Sequence, residues 1–236
     1  MLHQFEWLAL EVTSLERARE FYTTHLNLTP TETTESEVTF ETGGHNLLLR
    51  RPTSIPRGGL HVHYAFATPD DCYQTWYDSL SQTFDLQEVT FGEAKSLYFF
   101  DPDGHCVEIG QRGTGDDCLM GLFEIVFEVR DLESSVELFQ MLGFKIVDKG
   151  DKRRRVRLSG PIDVEIWEPQ LGIADARGGV HMDVGFSCES IDEIRMTLQN
   201  NVLSMTTTQK GLRVKDENGH YISFVESSTS TGTPYL

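Results

Sequence analysis

Lysine is scarce in this chain. Six of the 236 residues are Lys, against 37 acidic side chains, and the formal net charge is −17. A surface that negative repels phosphate backbones, so nucleic acid is not an expected partner. Acid excess with little Lys also suits a high-salt cytoplasm, where screening relieves self-repulsion. No apolar run reaches the length of a membrane-spanning helix, so no membrane partner is expected. The opening stretch carries Glu6 and Glu11 and lacks both a basic region and a small-residue cleavage site. It therefore reads as no secretory leader, and the expected location is cytoplasmic. The four cysteines, Cys72, Cys106, Cys118 and Cys188, have neither CxxC nor clustered spacing. They are expected to be separate buried thiols, not a disulfide or a zinc knuckle. The one basic block, Lys149–Arg157, falls at a turn and strand start and reads as a solvated strand edge in preference to an anion site.

What the chain does have is aromatic weight and an internal repeat. With 39% apolar residues and 14 Phe it can bury a substantial core. Three blocks recur in the same order. WLALEVTSLERAREFY from Trp7 matches EIVFEVRDLESSVELF from Glu124, and GGLHVHYAFATPDD from Gly58 matches GGVHMDVGFSCESI from Gly178. YFFDPDGHCVEI from Tyr98 matches RVKDENGHYISF from Arg213. Three matched blocks in fixed order indicate two diverged copies, residues 1–112 and 119–227, joined by the small acidic linker Gly113–Asp117.

Each copy subdivides again. Leu8–Val12 reads as a strand with β-branched and aromatic company, and Ser14 or Leu15 opens a helix with Ala18, Phe21, Tyr22 and Leu26 on one face. Val38–Phe40 and Asn46–Leu49 read as strands about the Gly43–Gly44 turn. The pattern restarts after Gly58–Gly59 with a strand at His61–Ala67, a helix at Asp70–Leu80, a strand at Leu86–Phe91 and a hairpin of Leu97–Phe100 and Cys106–Ile109. In the second copy Asp131 caps a helix ending at Gly143, and Glu189–Gln199 forms another. The fold class is therefore α+β, with four βαβββ modules in tandem. His105 and His220 share a turn slot in DPDGH and ENGH, which argues for hairpin packing over chemistry.

These blocks together, the VxxLExxxxFY entry, the GGxHxxxxF restart and the DPDGHxxE hairpin, resemble the vicinal oxygen chelate superfamily of glyoxalases, bleomycin resistance proteins and extradiol dioxygenases. The resemblance implies two glyoxalase-like domains and a small organic substrate. It implies a divalent metal (Fe, Mn, Zn or Ni) held by residues of the first and last strands of paired modules. Taking neighbouring modules as pairs, the first cup would offer Trp7, Leu48, His63 and Glu108. The second would offer Glu124, Glu165, Asp183 and Ser223. His63 and Glu108 are the leading metal candidates, and the three carboxylates Glu124, Glu165 and Asp183 are weaker ones. Tyr98 is in the place of a family tyrosine that moves a proton, with His63 as its catalytic partner.

Two readings stay open. Trp7 cannot coordinate a metal, so either His61, His3 or Glu6 completes the set, or the cup binds no metal. In the second case Trp7, His61, Phe66 and Phe100 line a cleft for an organic ligand, and Tyr98 sits at its edge. The enzyme reading expects a glyoxalase or extradiol dioxygenase, monomeric or homodimeric, with its activity in the first cup. The binding reading expects a bleomycin-resistance-like protein with a degenerate metal site. For the second cup the competing expectation is that its carboxylates pair with Arg155 or Arg157.

Overall fold

The computed structural model describes residues 1–52, 62–151, 154–168 and 182–227. Within them the chain passes through four βαβββ modules. The first contains β1 (Leu2–Glu11), α1 (Leu15–Leu26), β2 (Pro30–Thr33), β3 (Glu37–Thr42) and β4 (His45–Arg50). The second contains β5 (His63–Thr68), α2 (Tyr73–Leu80), β6 (Gln87–Phe91), β7 (Ala94–Phe100) and β8 (Cys106–Gln111). The third contains β9 (Gly121–Glu128), α3 (Leu132–Met141), β10 (Lys145–Lys149), β11 (Arg155–Ser159) and β12 (Asp163–Trp167). The fourth contains β13 (Met182–Cys188), α4 (Ile191–Leu198), β14 (Ser204–Thr207), β15 (Leu212–Lys215) and β16 (Tyr221–Glu226). The two Gly-Gly restarts, His61 and the carboxyl-terminal nine residues lie outside the described residues.

Local chemistry explains the element ends. Ser14, Asp131 and Ser190 each accept a hydrogen bond from the backbone N–H three residues on, capping α1, α3 and α4. Helix α1 stops at Asn27, whose left-handed φ of 55° lets its N–H reach back to the Tyr22 carbonyl. Helix α2 has no side-chain cap. Its preceding residue Cys72 instead forms a disulfide with Cys118 across a Cα–Cα distance of 5.4 Å. That corrects the expectation of separate thiols. Sequence spacing carried no trace of the pair, because the linker folds back onto α2 only in three dimensions. Cys106 and Cys188 are buried free thiols. Strand β2, implied by the βαβββ pattern but not placed by the sequence reading, is a mostly exposed polar edge with no alternating apolar signal.

The sheets do not follow the repeats. One eight-stranded sheet runs β14-β15-β16-β13-β1-β4-β3-β2, and the other runs β10-β11-β12-β9-β5-β8-β7-β6. The first module therefore joins the fourth, and the second joins the third, which corrects the expected pairing of neighbours within each repeat. The linker provides the cause. Met120 N–H donates to the Ala67 carbonyl at 2.9 Å and Thr68 Oγ1 to the Cys118 carbonyl at 2.8 Å. The chain leaving β8 is thus folded back along the end of β5 and delivers β9 antiparallel beside it. Strand β1 then takes β13 on the edge it does not share with β4, so no central strand is left with unpaired backbone groups.

One face of each sheet is buried with the helices in a single continuous core. Phe21 of α1 packs edge-on to Phe84 and near Phe99, while Tyr22 reaches Phe40 of the other sheet. Tyr22 and Tyr64 share a buried hydroxyl contact, and Tyr22 also donates to Asp101 at 2.9 Å. The turn histidines staple modules together. His105 Nε2 donates to the Glu11 carbonyl at 2.9 Å, and its Nδ1 accepts from Val62 N–H at 3.1 Å. His220 Nε2 likewise donates to the Glu128 carbonyl at 3.0 Å. Gly104, at φ 88°, supplies the left-handed step that closes the first of these turns.

Candidate functional site

The faces of the sheets turned away from the core form two cups. Side chains alternate along a strand, so His63 and Ala65 point into one cup while Tyr64 and Phe66 point into the core. Phe66 is fully buried there and does not line the cup, contrary to expectation. The register then fixes the neighbours. Ala65 stands opposite both Glu108 on β8 and Glu124 on β9, while Val126, opposite His63, stands opposite Glu165 on β12. An approximate two-fold between β5 and β9 therefore exchanges His63 with Glu124 and Glu108 with Glu165. Four donor-type side chains, one from the first and one from the last strand of each of two modules, face a single cavity of about 1120 Å³.

This corrects the expected grouping. His63 and Glu108 share their cup with Glu124 and Glu165, and Trp7, Leu48, Asp183 and Ser223 face the other. The sequence reading matched residues to strand positions correctly and assigned the strands to cups wrongly, because nothing local records which sheet edges meet. Tyr98 stands opposite Glu108 on β7, with its ring centroid 5.7 Å from that of His63. Phe100 is an exposed rim residue of the same cavity.

Charge in this cup is crowded and partly compensated. His63 Nε2 lies 3.2 Å from Glu108 Oε2, both nearly inaccessible, and His63 Nδ1 is buried with no partner among the described residues. Burial raises the Glu108 carboxyl, but His63, Ser96 and Arg112 together outweigh it and hold the group below its ordinary value. Glu124 is pushed up to about 7, first by burial and then by the like charge of Glu165, with Arg157 opposing. Glu165 is raised by burial against the pull of Arg155 and Trp167. Burial and the facing Glu108 keep the Tyr98 phenol protonated far above neutral pH.

Both third-module carboxylates are paired. Arg157 lies 2.8 Å from Glu124 and Arg155 lies 2.7 Å from Glu165, whose other oxygen accepts from Trp167 Nε1 at 2.6 Å. The basic block is a solvated edge only in part: Lys149 and Arg154 are exposed, while the RxR alternation sends Arg155 and Arg157 inward. Trp167, two residues after Glu165, was missed by sequence reasoning although its spacing puts it on the same face. Among the described residues no three His, Cys, Asp or Glu side chains already stand at metal-holding separation. The donor set nevertheless fits a divalent cation in type and number. It has one imidazole with an orphaned nitrogen and three carboxylates, and the Glu124 oxygen facing Arg157 lacks hydrogen-bond geometry. Loading would require Glu124 and Glu165 to turn from their arginines.

The other cup is built differently. Asp183, 1% exposed, accepts from Ser223 Oγ at 2.7 Å and meets Arg213 at 2.8 Å and Arg50 at 3.2 Å. Three donors saturate it, which removes it from the metal candidates. Trp7 stands opposite Gly185, and its indole lies so close that a Cβ there would be 2.2 Å from the ring.

Paired βαβββ modules forming two cups, one of them lined by a histidine and three carboxylates, define the architecture of a vicinal oxygen chelate protein. The chain belongs to the Glyoxalase/Bleomycin resistance protein/Dioxygenase superfamily, whose description matches residues 4–109. It is 31% identical over 119 residues to a metallothiol transferase FosB of Lysinibacillus sphaericus, covering 48% of this chain and 84% of that protein. It is 27% identical over 116 residues to a FosB of Staphylococcus haemolyticus, covering 46% and 84%. The crystal structure of glyoxalase I from Zea mays superposes with a TM-score of 0.69 at 16% identity, covering 94% of this chain and 92% of that one. That likeness concerns the fold. Among the described residues no helix is long and apolar enough to cross a membrane.

Proposed function

We propose that this protein is a small-molecule enzyme of the glyoxalase or extradiol dioxygenase kind, working in the cup of the second and third modules. One observation carries the reading, the convergence of His63, Glu108, Glu124 and Glu165 in two-fold-related positions on one concave face. A divalent cation held by those four side chains would polarise neighbouring oxygens of a substrate as a Lewis acid. The remaining roles belong to the chain itself. Glu124, raised to about 7 in the cation-free cup, would give up its proton on taking the cation. Tyr98 stays protonated and donates a hydrogen bond to a substrate oxygen. Leu86, Val89, Phe91 and Phe100 hold the organic part, and Arg112 meets an anionic end.

The test is metal content and affinity. Protein purified without chelator should carry near-stoichiometric metal, or bind Mn(II) tightly by calorimetry. His63→Ala should weaken that binding at least about tenfold, and Asp183→Ala should leave it within a few-fold. Metal uptake unchanged by His63→Ala would sink the proposal. A second reading, a metal-free ligand-binding protein, is favoured by the Arg155–Glu165 and Arg157–Glu124 pairs. It expects a wild type that takes up no metal. Cytoplasmic residence and a monomeric or homodimeric state remain part of the proposal, although the Cys72–Cys118 disulfide is of a kind that reducing cytosols disfavour. Thiol labelling in fresh lysate checks that point: both cysteines labelling as free thiols supports the cytosol, and full protection counts against it.

A further inference from the structure

We propose that the cup of the first and fourth modules is a second binding site, one that takes a small planar organic anion such as an aromatic carboxylate. This goes beyond the reading of the other cup and does not depend on it. In a chain of net charge −17, four cations gather about one cavity of about 420 Å³, namely Arg50, Arg51, Lys210 and Arg213. Two carboxylates face them, the rim residue Glu37 and the buried Asp183 beneath. The balance of four cations against two carboxylates leaves the cavity positive. Among the described residues Arg51 and Lys210 take part in no ion pair, so their charge is left to act against the repulsion that a net charge of −17 exerts on an incoming anion.

The floor is as specific as the charge. Asp183 holds the Arg50 and Arg213 guanidiniums by a single oxygen and spends its other oxygen on Ser223. It therefore positions two planar forks without neutralising both of them. The Trp7 indole packs on Gly185, and its Nε1–H is buried with no acceptor among the described residues. A buried donor without an acceptor is costly, and an anionic oxygen answers it. The repeats show how this cup differs from its counterpart. Trp7 and Leu48 occupy the positions of Glu124 and Glu165, and Asp183 and Ser223 those of His63 and Glu108. The metal-type donors are replaced by a flat apolar wall and a saturated carboxylate, while the rim gains cations. The size is within the range of small-ligand clefts, and the aromatic surface favours a flat partner.

Calorimetry and tryptophan emission with benzoate, nicotinate and phenyl phosphate, and with benzylammonium as the cationic control, test this on the full chain. Saturable binding of at least one anion at millimolar concentration or tighter is expected, with none of benzylammonium. The Arg51→Ala/Lys210→Ala double variant should weaken it by more than about tenfold, and Trp7→Leu by several-fold. His63→Ala should leave it unchanged, which separates this site from the other cup. Circular dichroism of each variant checks folding. Absence of binding by all three anions, equal binding of benzylammonium, an affinity indifferent to the double variant, or loss in His63→Ala would each overturn the proposal.

Discussion

Replacing Glu124 by Gln in metal-stripped protein should stabilise the fold, and increasingly so as pH rises. The carboxyl is buried beside Glu165, and Arg157 compensates it only in part, so its folded value is raised from 4.5 to about 7. A raised folded pKa means that the protonated form is favoured by folding. Below the unfolded value both states hold the proton and nothing is lost. Between about 4.5 and 7 the unfolded chain releases its proton and the folded chain keeps it, so stability falls as pH rises, and above 7 the loss is complete. A shift of that size amounts to about 3 kcal/mol. Gln removes the titration and keeps the shape, so the advantage of Glu124→Gln over wild type should grow by roughly 2 to 3 kcal/mol between pH 5 and pH 8. For a chain of this length that is on the order of 5 to 10 °C in melting temperature. Thermal melts at both pH values, with chelator present, read it directly. A variant whose advantage is flat with pH, or shrinks toward pH 8, refutes the electrostatic account of this cup. Mn(II) should reduce the pH slope of the wild type and leave that of the variant largely as it was.

Breaking the disulfide with Cys118→Ser should cost about 4 kcal/mol on the chain-entropy estimate for its loop, read as a lower urea midpoint that dithiothreitol reproduces in wild type but not in the variant. Gly185→Ala should displace the Trp7 indole, because a Cβ there would meet the ring at 2.2 Å. A red shift in tryptophan emission and a loss of about 1 to 3 kcal/mol are expected, and unchanged emission would show that the ring does not rest on this glycine. His105→Ala removes one donor to the Glu11 carbonyl and the acceptor that the Val62 N–H uses. Chemical denaturation should show a loss of about 2 to 3 kcal/mol, and a neutral result would remove the histidine from the staple assigned to it.

Much of the fold was legible because its signals are local. Strand-type composition located β1, the Gly43–Gly44 turn located β4, and the spacing of Phe21, Tyr22 and Leu26 located α1. The Asp-Gly and Asn-Gly turns located both hairpins, and the matched pair His105 and His220 pointed correctly to packing. What stayed hidden was long-range. The disulfide depends on how the linker returns to α2, and β2 is too polar and exposed to leave a pattern.

The site was legible residue by residue and illegible as a set, for the same physical reason. Repeat matching identified eight strand positions that face cup interiors, and the register puts all eight there. Which four share a cavity depends on whether the free edge of β5 meets β1 or β9, and the bonds from Met120 N–H to the Ala67 carbonyl and from the Thr68 hydroxyl to the Cys118 carbonyl settle that. Once the edges are known, the residue types sort by cup instead of by repeat. All four of the matched positions in the cup about the β5–β9 seam, His63, Glu108, Glu124 and Glu165, carry a nitrogen or oxygen donor. The positions facing the β1–β13 seam hold an indole, a leucine, a hydroxyl and a carboxylate saturated by Ser223, Arg50 and Arg213. Each repeat therefore supplies one module to each kind of cavity. A mutation that disturbs the linker should reach both cavities at once, since delivering β9 to β5 also determines which edge remains for β13.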